Sequence, residues 1–359
     1  MPSFQPEFAL SQATLRLRFG PGVRRDTGAE IERLGCSRAA VLSTPGKRCM
    51  AGDLARDIGR RAAGVVPLAE MHTPVGVTEV ALEEVRRLRA DCLIAIGGGS
   101  TIGLGKAIAL RTGLPQIVLP TTYAGSEATP VLGQTEGGRK TTLTDPRVQP
   151  QVILYDAELV RSLPVPITVA SALNAMAHAA EGLYARDRNP VAAMFAAEGL
   201  RALHRALPAV CRDPRDLDAR GETLYGAWLC GTVLGQVGMA LHHKLCHVLG
   251  GSFGLPHAET HAVMLPHTIA FNADAAGALL DPLREIFGDA DVGRGLAGFA
   301  DRVGAPRGLR DLGMANADLV RAADLAMQAS YWNPRPLVRD EILELLGAAW
   351  AGEVGRSAT

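Results

Sequence analysis

Residues 92–101 read Cys-Leu-Ile-Ala-Ile-Gly-Gly-Gly-Ser-Thr, and this stretch decides the fold. Cys92–Ile96 is an apolar strand, three glycines follow it, and Ile102–Leu110 has the pattern of a helix. Glycines between a strand and a helix let backbone N–H groups approach a phosphate, and the helix N-terminus adds unpaired donors. Ser100 is placed to cap this helix and to donate to the same phosphate. The stretch predicts a phosphate-binding turn in an α/β domain.

A plain glycine-rich turn without a ligand would read the same way, and the spacing is not that of the GxGxxG signature. A second loop favours the interpretation that this turn binds a ligand. Gln116–Leu119 forms the next strand and runs into Pro-Thr-Thr-Tyr-Ala-Gly-Ser-Glu at residues 120–127. Ligands of open α/β sheets bind where the carboxyl ends of adjacent strands meet. We therefore interpret both loops as one binding site.

Short aliphatic runs alternate with helical patterns over the first 155 or so residues, which predicts a mostly parallel sheet covered on both faces. After residues 163–166, Leu-Pro-Val-Pro, strand patterns disappear. We predict an α/β N-terminal domain, residues 1–160, and an all-helical C-terminal domain, residues 161–359. The predicted strands are Thr14–Phe19, Ala40–Ser43, Gly64–Pro67, Cys92–Ile96, Gln116–Leu119 and Val152–Tyr155. The predicted helices include Asp53–Ala63, Val77–Arg89, Thr168–Tyr184, Pro190–Leu207, Leu217–Leu234, Val237–Leu249 and Asp340–Trp350.

Composition excludes several classes of protein. Basic and acidic side chains balance at 37 each, so no overall charge attracts the chain to nucleic acid or to a membrane surface. The six cysteines form no CxxC pair, which is typical of reduced thiols. The chain has no signal-peptide pattern at its start and no apolar run long enough to span a membrane. We expect a cytoplasmic protein.

Histidines are concentrated in one part of the chain. Six of the nine fall between residues 242 and 267, and a seventh, His178, shares a helix face with Asn174 and Glu181. Imidazoles bind divalent metals or exchange protons near neutral pH, and the pattern is compatible with both uses. The six are His242, His243, His247, His257, His261 and His267.

Taken together, these residues resemble the iron-containing alcohol dehydrogenase superfamily, whose motifs occur here in family order over roughly residues 90 to 340. The resemblance implies a dehydroquinate synthase-like fold, with the active site in the cleft between its two domains. The motifs are GGGS at Gly97–Ser100, PTT…GSE at Pro120–Glu127, Lys140, Asp156, Asn174 with His178 and Glu181, His243 with His247, Pro256-His257, Leu265-Pro266-His267 and Asn333-Pro334-Arg335.

The resemblance also implies the cofactor and metal positions. The pyrophosphate of a nicotinamide cofactor would bind at the glycine loop, and the part nearer the nicotinamide would bind beside the second loop. The family's metal ligands, one aspartate and three histidines, would fall on Asn174, His178, His243 and His257. The residues implied to hold the pyrophosphate are Gly97, Gly98, Gly99 and Ser100. Those implied to contact the cofactor nearer its nicotinamide are Thr121, Thr122, Ser126 and Lys140.

Two departures from the family pattern point to its maleylacetate reductase branch. Asn174 stands where the family has aspartate, and the loop at residues 120–127 is one residue shorter than the family's usual PTTAGTGSE. The stretches 242–247 and 255–261 also resemble this branch. An amide is neutral and binds divalent ions weakly, so we do not expect a bound metal, although three histidines are enough to hold zinc.

The turn after Ala40–Ser43 indicates whether the chain uses NADH or NADPH. Many relatives carry an aspartate there for the adenosine ribose, whereas this chain has Thr44-Pro45. A carboxylate at this place repels the 2′-phosphate of NADPH. We therefore expect the chain to use NADH or NADPH.

The branch implies reduction of maleylacetate, a small dicarboxylate, to 3-oxoadipate in the bacterial breakdown of aromatic compounds. Hydride adds to the alkene carbon β to the ketone, and the resulting enolate takes a proton, so the site needs proton donors and cations. We expect His178, His243 and His257 to form the polar pocket. We expect Lys244 and Arg335 to hold the carboxylates, with Arg139 and Lys140 in reserve. By analogy with the family, a homodimer is expected.

Three other functions fit parts of the sequence. A metal-dependent alcohol or aldehyde reductase of the same superfamily would keep the fold, but Asn174 argues against it. A lyase of the dehydroquinate synthase type would need more basic residues among the helical motifs. A nicotinamide-binding sensor without catalysis would leave the dense histidine cluster unexplained.

Overall fold

The computed structural model describes residues 15–137, 139–328 and 330–354, and the side chains of Arg139 and Lys140 lie outside the described set. The described chain divides into two compact units. The first contains the described residues up to Leu163 together with Arg215–Leu224. The second contains Pro164–Pro214 and the described residues from Tyr225 onwards.

A six-stranded parallel sheet forms the centre of the first unit, in the order β1-β8-β5-β4-β2-β3. Its strands are β1 Arg16–Phe19, β2 Ala39–Leu42, β3 Ala62–Val66, β4 Cys92–Gly97, β5 Gln116–Pro120 and β8 Val152–Tyr155. Its helices are α1 Thr27–Arg33, α2 Arg48–Ile58, α3 Val75–Arg87, α4 Gly99–Thr112 and α5 Ala157–Val160. The predicted parallel sheet is therefore confirmed.

Both faces of this sheet are buried. Ile94 packs with Ile31 and Leu54 on one face, and the preceding Leu93 packs with Leu82 and Leu104 on the other. Since successive side chains of a strand point to opposite faces, a strand covered on both sides must be apolar throughout. This explains the unbroken apolar run in β4.

The edge formed by the carboxyl ends of the strands positions the binding loops. Gly97 at the end of β4 is in register with Pro120 at the end of β5, so the loops that follow these strands begin side by side. On its other side β4 pairs with β2, in the register Ala95 to Leu42. The turn after β2 therefore also begins at this edge.

The first unit departs from the prediction in two places. A hairpin, β6 Val131–Glu136 and β7 Arg139–Thr144, was not predicted, because its polar strands lack an apolar face. The predicted helix Asp53–Ala63 was wrong at its end: α2 stops at Ile58, where Gly59 takes a positive φ of 60°, and Ala62 already belongs to β3. Glycine adopts this conformation without the steric cost that a side chain would bring.

Helices alone make up the described part of the second unit, as predicted. They are α6 Val165–Gly182, α7 Pro190–Arg212, α9 Leu241–Phe253, α10 His257–Ala276, α11 Asp281–Phe287, α12 Val292–Arg302, α13 Leu319–Met327 and α14 Arg339–Ala351. The helix α8, Leu217–Gln236, begins in the segment Arg215–Leu224 and continues into this unit. Within the unit, α10 packs against both α6 and α9.

The second unit differs from the prediction at the start of α9 and at α10. The helix predicted over Val237–Leu249 begins only at Leu241, because α8 runs to Gln236 and residues 237–240 form a break between the two helices. The helix α10 was not predicted, since its interior contains Pro266, a residue that usually ends helices.

Two further observations concern the cysteines and the apolar helices. All six cysteines are free thiols. Within the described ranges, no single helix is long and apolar enough to cross a membrane, while the pair α8 and α9, bent by 98°, passes that test by length and composition only.

Candidate active site

The glycine loop leaves its backbone open at one position. The helix α4 begins at Gly99 with Gly98 as its N-cap, so Ser100 lies in the first turn and the prediction that Ser100 caps the helix was wrong. A Cβ on Gly97 would lie 2.2 Å from Thr101 Oγ1, and one on Gly98 would lie 2.8 Å from Thr122 Cγ2. A Cβ on Gly99 would meet no atom within 4 Å. This open space at a helix N-terminus suits a pyrophosphate.

Alanine substitutions at Gly97 and at Gly99 are expected to change different properties of the protein, its stability and its cofactor binding. Gly97→Ala forces Thr101 out of place and should lower the free energy of unfolding by about 1–3 kcal/mol. Gly99→Ala should leave stability nearly unchanged but raise the KM for NADH, because its methyl group enters the phosphate space. Thermal unfolding and initial rates measure the two effects. An unchanged KM in Gly99→Ala would remove the pyrophosphate from this loop.

A buried lysine ties α4 to the second loop. Lys106 is 1% exposed, and its Nζ donates to the carbonyl oxygens of Ser126 (2.6 Å), Thr129 (2.6 Å) and Val131 (2.9 Å) and to Thr129 Oγ1 (3.0 Å). Burial lowers the pKa of Lys106 to about 7, and the nearby Glu127 opposes this shift. Four acceptors around one nitrogen favour the ammonium, since a neutral amine has only two N–H donors. Lys106 thus fixes the loop against the helix.

The predicted cofactor residues of this loop carry unused hydroxyl groups. Thr121 Oγ1 and Ser126 Oγ are buried and find no hydrogen-bond partner among the described residues. Buried polar atoms normally have a partner, so such groups point to a ligand. Glu127 accepts a hydrogen bond from the Tyr155 hydroxyl (3.0 Å), and burial raises the pKa of this carboxyl. The backbone of Lys140 pairs with Thr135 in the hairpin, but its side chain lies outside the described set.

Three helices of the second unit bring the histidines together. Asn174, His178 and Glu181 project from α6 and are all at most 4% exposed. Glu181 accepts the backbone N–H groups of His242 (2.8 Å) and His243 (3.4 Å) at the start of α9. A carboxylate near a helix N-terminus is stabilised by the unpaired N–H groups there. Glu181 therefore anchors α9 to α6.

The same carboxylate begins a line of hydrogen bonds through two histidines. Glu181 Oε2 lies 2.5 Å from His243 Nδ1, and His243 Nε2 lies 2.8 Å from His178 Nδ1. Since a carboxylate accepts, the proton on His243 is assigned to Nδ1, and Nε2 accepts from His178 when the ring of His243 is neutral. The carboxylate thus orients both imidazoles.

A second pair of histidines lies behind this line. His242 contacts Thr268 Oγ1 through Nδ1 (2.9 Å) and His261 Nδ1 through Nε2 (2.9 Å), and Cys246 Sγ lies 3.7 Å from the same Nε2. Burial, followed by the charges of neighbouring histidines, holds the pKa of His242 and of His261 well below the usual range. Both rings are therefore neutral near pH 7.

The remaining histidines of the run differ in their surroundings. The ring of His257, at the start of α10, lies 4.5 Å from that of His261, and His247 is exposed on α9. His267 is buried nearly three turns along α10 and lines a separate cavity of about 100 Å³ with Pro266 and Asp301. Proximity in sequence therefore does not place His267 with the others.

His267 predicts an acid-sensitive contribution to stability. Burial lowers its pKa from 6.5 to about 4. Between these values the unfolded chain binds the extra proton, so stability is full above pH 6.5 and is lost as the pH falls toward 4. The loss reaches roughly 3 kcal/mol, at 1.36 kcal/mol per pKa unit. In His267→Gln this part of the pH dependence should vanish in urea titrations between pH 4 and 7, and an unchanged slope would contradict it.

The family-equivalent metal positions depart from the family's ligand set at Asn174. His243 uses both ring nitrogens, one on Glu181 and one on His178. Asn174 supplies a neutral amide, and its Oδ1 is buried with no partner among the described residues. Divalent ions prefer charged oxygen ligands and imidazole nitrogens with a free lone pair. The neutral Asn174 therefore makes this set a weaker ligand for a divalent ion than the family's aspartate and three histidines.

The two cations predicted for the substrate differ in their surroundings. Lys244 is half-buried, its Nζ lies 5.8 Å from the ring centroid of Tyr331, and its ammonium forms no hydrogen bond or ion pair with the described residues. Arg335 lies over the ring of Phe271 (4.2 Å) and bonds to Glu341 (2.8 Å) and to the Phe271 carbonyl (3.2 Å). Lys244 is thus the cation that is not already engaged.

Comparisons with known proteins cover nearly the whole chain. Residues 14–157 match the family model "Iron-containing alcohol dehydrogenase", and residues 168–350 match "Fe-containing alcohol dehydrogenase family, C-terminal". The maleylacetate reductase of Rhizobium sp. (strain MTP-10005) is 57% identical over 345 residues, which are 96% of this chain and 98% of the relative. That of Burkholderia cepacia is 51% identical over 94% of this chain and 96% of the relative. The crystal structure of maleylacetate reductase from Agrobacterium tumefaciens has 57% identity and a TM-score of 0.95, and the match covers 98% of this chain and 100% of that one.

Proposed function

The chain belongs to the iron-containing alcohol dehydrogenase family, in its maleylacetate reductase branch, and we propose that it reduces maleylacetate to 3-oxoadipate with NADH or NADPH. The observation that carries the proposed chemistry is the buried line Glu181–His243–His178, which contains two of the positions where the resemblance implies metal ligands. When both rings are neutral, the N–H of each is used within the line, so a donor to the substrate requires an additional proton on these imidazoles.

The imidazoles serve the enolate that forms during the reaction. The nicotinamide cofactor supplies a hydride to the alkene carbon β to the ketone, and negative charge develops on the ketone oxygen. An imidazole that carries an additional proton stabilises this charge, and an imidazole also delivers the proton to the neighbouring carbon. His178, His243 and His257 take these two roles.

The substrate's carboxylates require cations. Lys244 has the stronger support, because it is half-buried and has no ion pair among the described residues. Arg335 remains the second candidate, and its bond to Glu341 also holds the segment before α14 in place. Replacement of each by methionine distinguishes the two, since loss of a carboxylate contact raises the KM for maleylacetate.

The turn after β2 supports the use of both cofactors. Residues 43–48 read Ser-Thr-Pro-Gly-Lys-Arg and contain no carboxylate that would repel a 2′-phosphate. Lys47 is half-buried, and its ammonium forms no ion pair or hydrogen bond with the described part of the chain. We expect comparable kcat/KM values for NADH and NADPH, and a strong preference for NADH would contradict this choice.

The deciding experiment follows oxidation of NADH by the purified protein, supplied with maleylacetate and a strong chelator. Rapid oxidation supports the substrate class and a reaction without an easily removed metal. Activity that is lost on chelation and restored by iron or zinc would instead support a metal-dependent reductase. No oxidation with or without metal would favour a nicotinamide-binding sensor.

Three further expectations rest on the resemblance to the family. We propose a homodimer, which light scattering of the purified protein tests. We also propose a cytoplasmic location, and functional domains at residues 1–160 and 161–359, which separate expression of the two parts tests.

A further inference from the structure

The hydroxyl group of Tyr331, in the second unit, has no hydrogen-bond partner within the described ranges. The hydroxyl oxygen is buried, while the ring packs against the core formed by α9, α10, α13 and α14. A buried hydroxyl without a partner is costly to the free protein and needs an explanation. A bound ligand that forms a hydrogen bond with this hydroxyl would explain it.

Tyr331 lies beside the cation that is not engaged. The Nζ of Lys244 is 5.8 Å from the centroid of the Tyr331 ring, and Lys244 directly follows His243 in α9. The Lys244 ammonium and the Tyr331 hydroxyl are thus donors on neighbouring side chains, which one anion can bridge. Carboxylates form their strongest hydrogen bonds with such charged and polar donors.

The surroundings keep Tyr331 in place and protonated. Asn333 and Asn272 exchange amide hydrogen bonds (3.0 and 2.8 Å), which hold the segment 331–335 against α10. Burial, and then the charge of Glu181, raises the pKa of Tyr331 to about 12. The phenol is therefore a donor at working pH. It also lines a cavity of about 230 Å³ together with Asn333 and Arg335.

We propose that the Tyr331 hydroxyl donates a hydrogen bond to the substrate carboxylate that pairs with Lys244, so that these two side chains recognise one end of the dicarboxylate. This inference rests on the proposed function. It assigns to Tyr331 a direct substrate contact, in addition to the contacts expected of the histidines and cations.

The test compares wild type with Tyr331→Phe, which removes only the hydroxyl group. The KM for maleylacetate should rise about 10- to 100-fold, the effect of a lost hydrogen bond to a charged group, while the KM for NADH stays unchanged. The melting temperature of the free enzyme should not fall, because the hydroxyl has no partner to lose. Tyr184→Phe is the matched control for stability: its hydroxyl accepts from Asn272 (3.3 Å), so this variant should melt earlier.

A double-mutant cycle with Lys244→Met tests the shared carboxylate. If both side chains hold one carboxylate, the KM of the double variant should rise by less than the product of the two single effects, whereas a simple product would overturn the pairing. An unchanged KM in Tyr331→Phe, or an earlier melt of that variant, overturns the inference while wild type still turns over maleylacetate. A wild type that does not turn over maleylacetate overturns the proposed function, and the inference with it.

Discussion

His243→Ala is expected to lower kcat for maleylacetate reduction by about 10²- to 10⁴-fold, the range found for loss of a general acid or base. His243 stands between Glu181 and His178 and contacts both through its ring nitrogens. Its removal therefore takes away one imidazole and leaves His178 without its orienting partner. The KM for NADH should stay nearly unchanged, since the cofactor loops belong to the first unit. Steady-state kinetics at saturating NADH measures the effect.

The matched control is His247→Ala, one turn further along α9. His247 is exposed, and its ring lies 6.3 Å from that of His243. This variant should keep kcat within a few-fold of wild type. If His243→Ala also kept most of its kcat, the histidine line would have an architectural role only, and the proton would have to come from another group.

Lys106→Met is expected to cost at least about 3 kcal/mol of unfolding free energy, because three buried carbonyls each lose a donor at about 1 kcal/mol or more. The same change frees the loop at residues 121–131 from α4. The KM for NADH should therefore rise along with the loss of stability. Urea unfolding followed by tryptophan fluorescence, and initial rates at low temperature, measure the two quantities.

Arg87→Met provides the comparison for this prediction, since it removes a cation of the same unit whose only described ion pair, with Glu84, is on the surface. Exposed pairs contribute little, so its unfolding curve should match that of wild type. A Lys106→Met protein as stable as wild type would show that the ammonium is not needed to hold the loop.

Much of the fold follows from local patterns. The unbroken apolar run of β4 requires a sheet covered on both faces, and the three glycines after it predict the turn into α4. The hairpin β6–β7 escaped prediction because its strands are polar on both faces. The helix α10 escaped it because Pro266 interrupts the helical pattern.

The candidate site was predictable by residue type but not by contact. The run of histidines at 242–267 marked the region, yet His267 has its own environment while His178, 65 positions before His243, bonds to it directly. Tyr331 carries no sequence signal, since its chemistry depends on a missing partner. Lys106 looks like any lysine in a helix until its four acceptors are seen.

The sequence by itself therefore determined most of the strands and helices and the glycine turn after β4, because apolar periodicity and backbone freedom act over a few neighbouring residues. Only the tertiary structure decided that Glu181 orients His243, that Lys106 holds the second loop, and that Arg215–Leu224 groups with the first unit. The first two pairings join residues between 20 and 62 positions apart. They depend on how packed helices and loops satisfy buried polar groups, which no local pattern records.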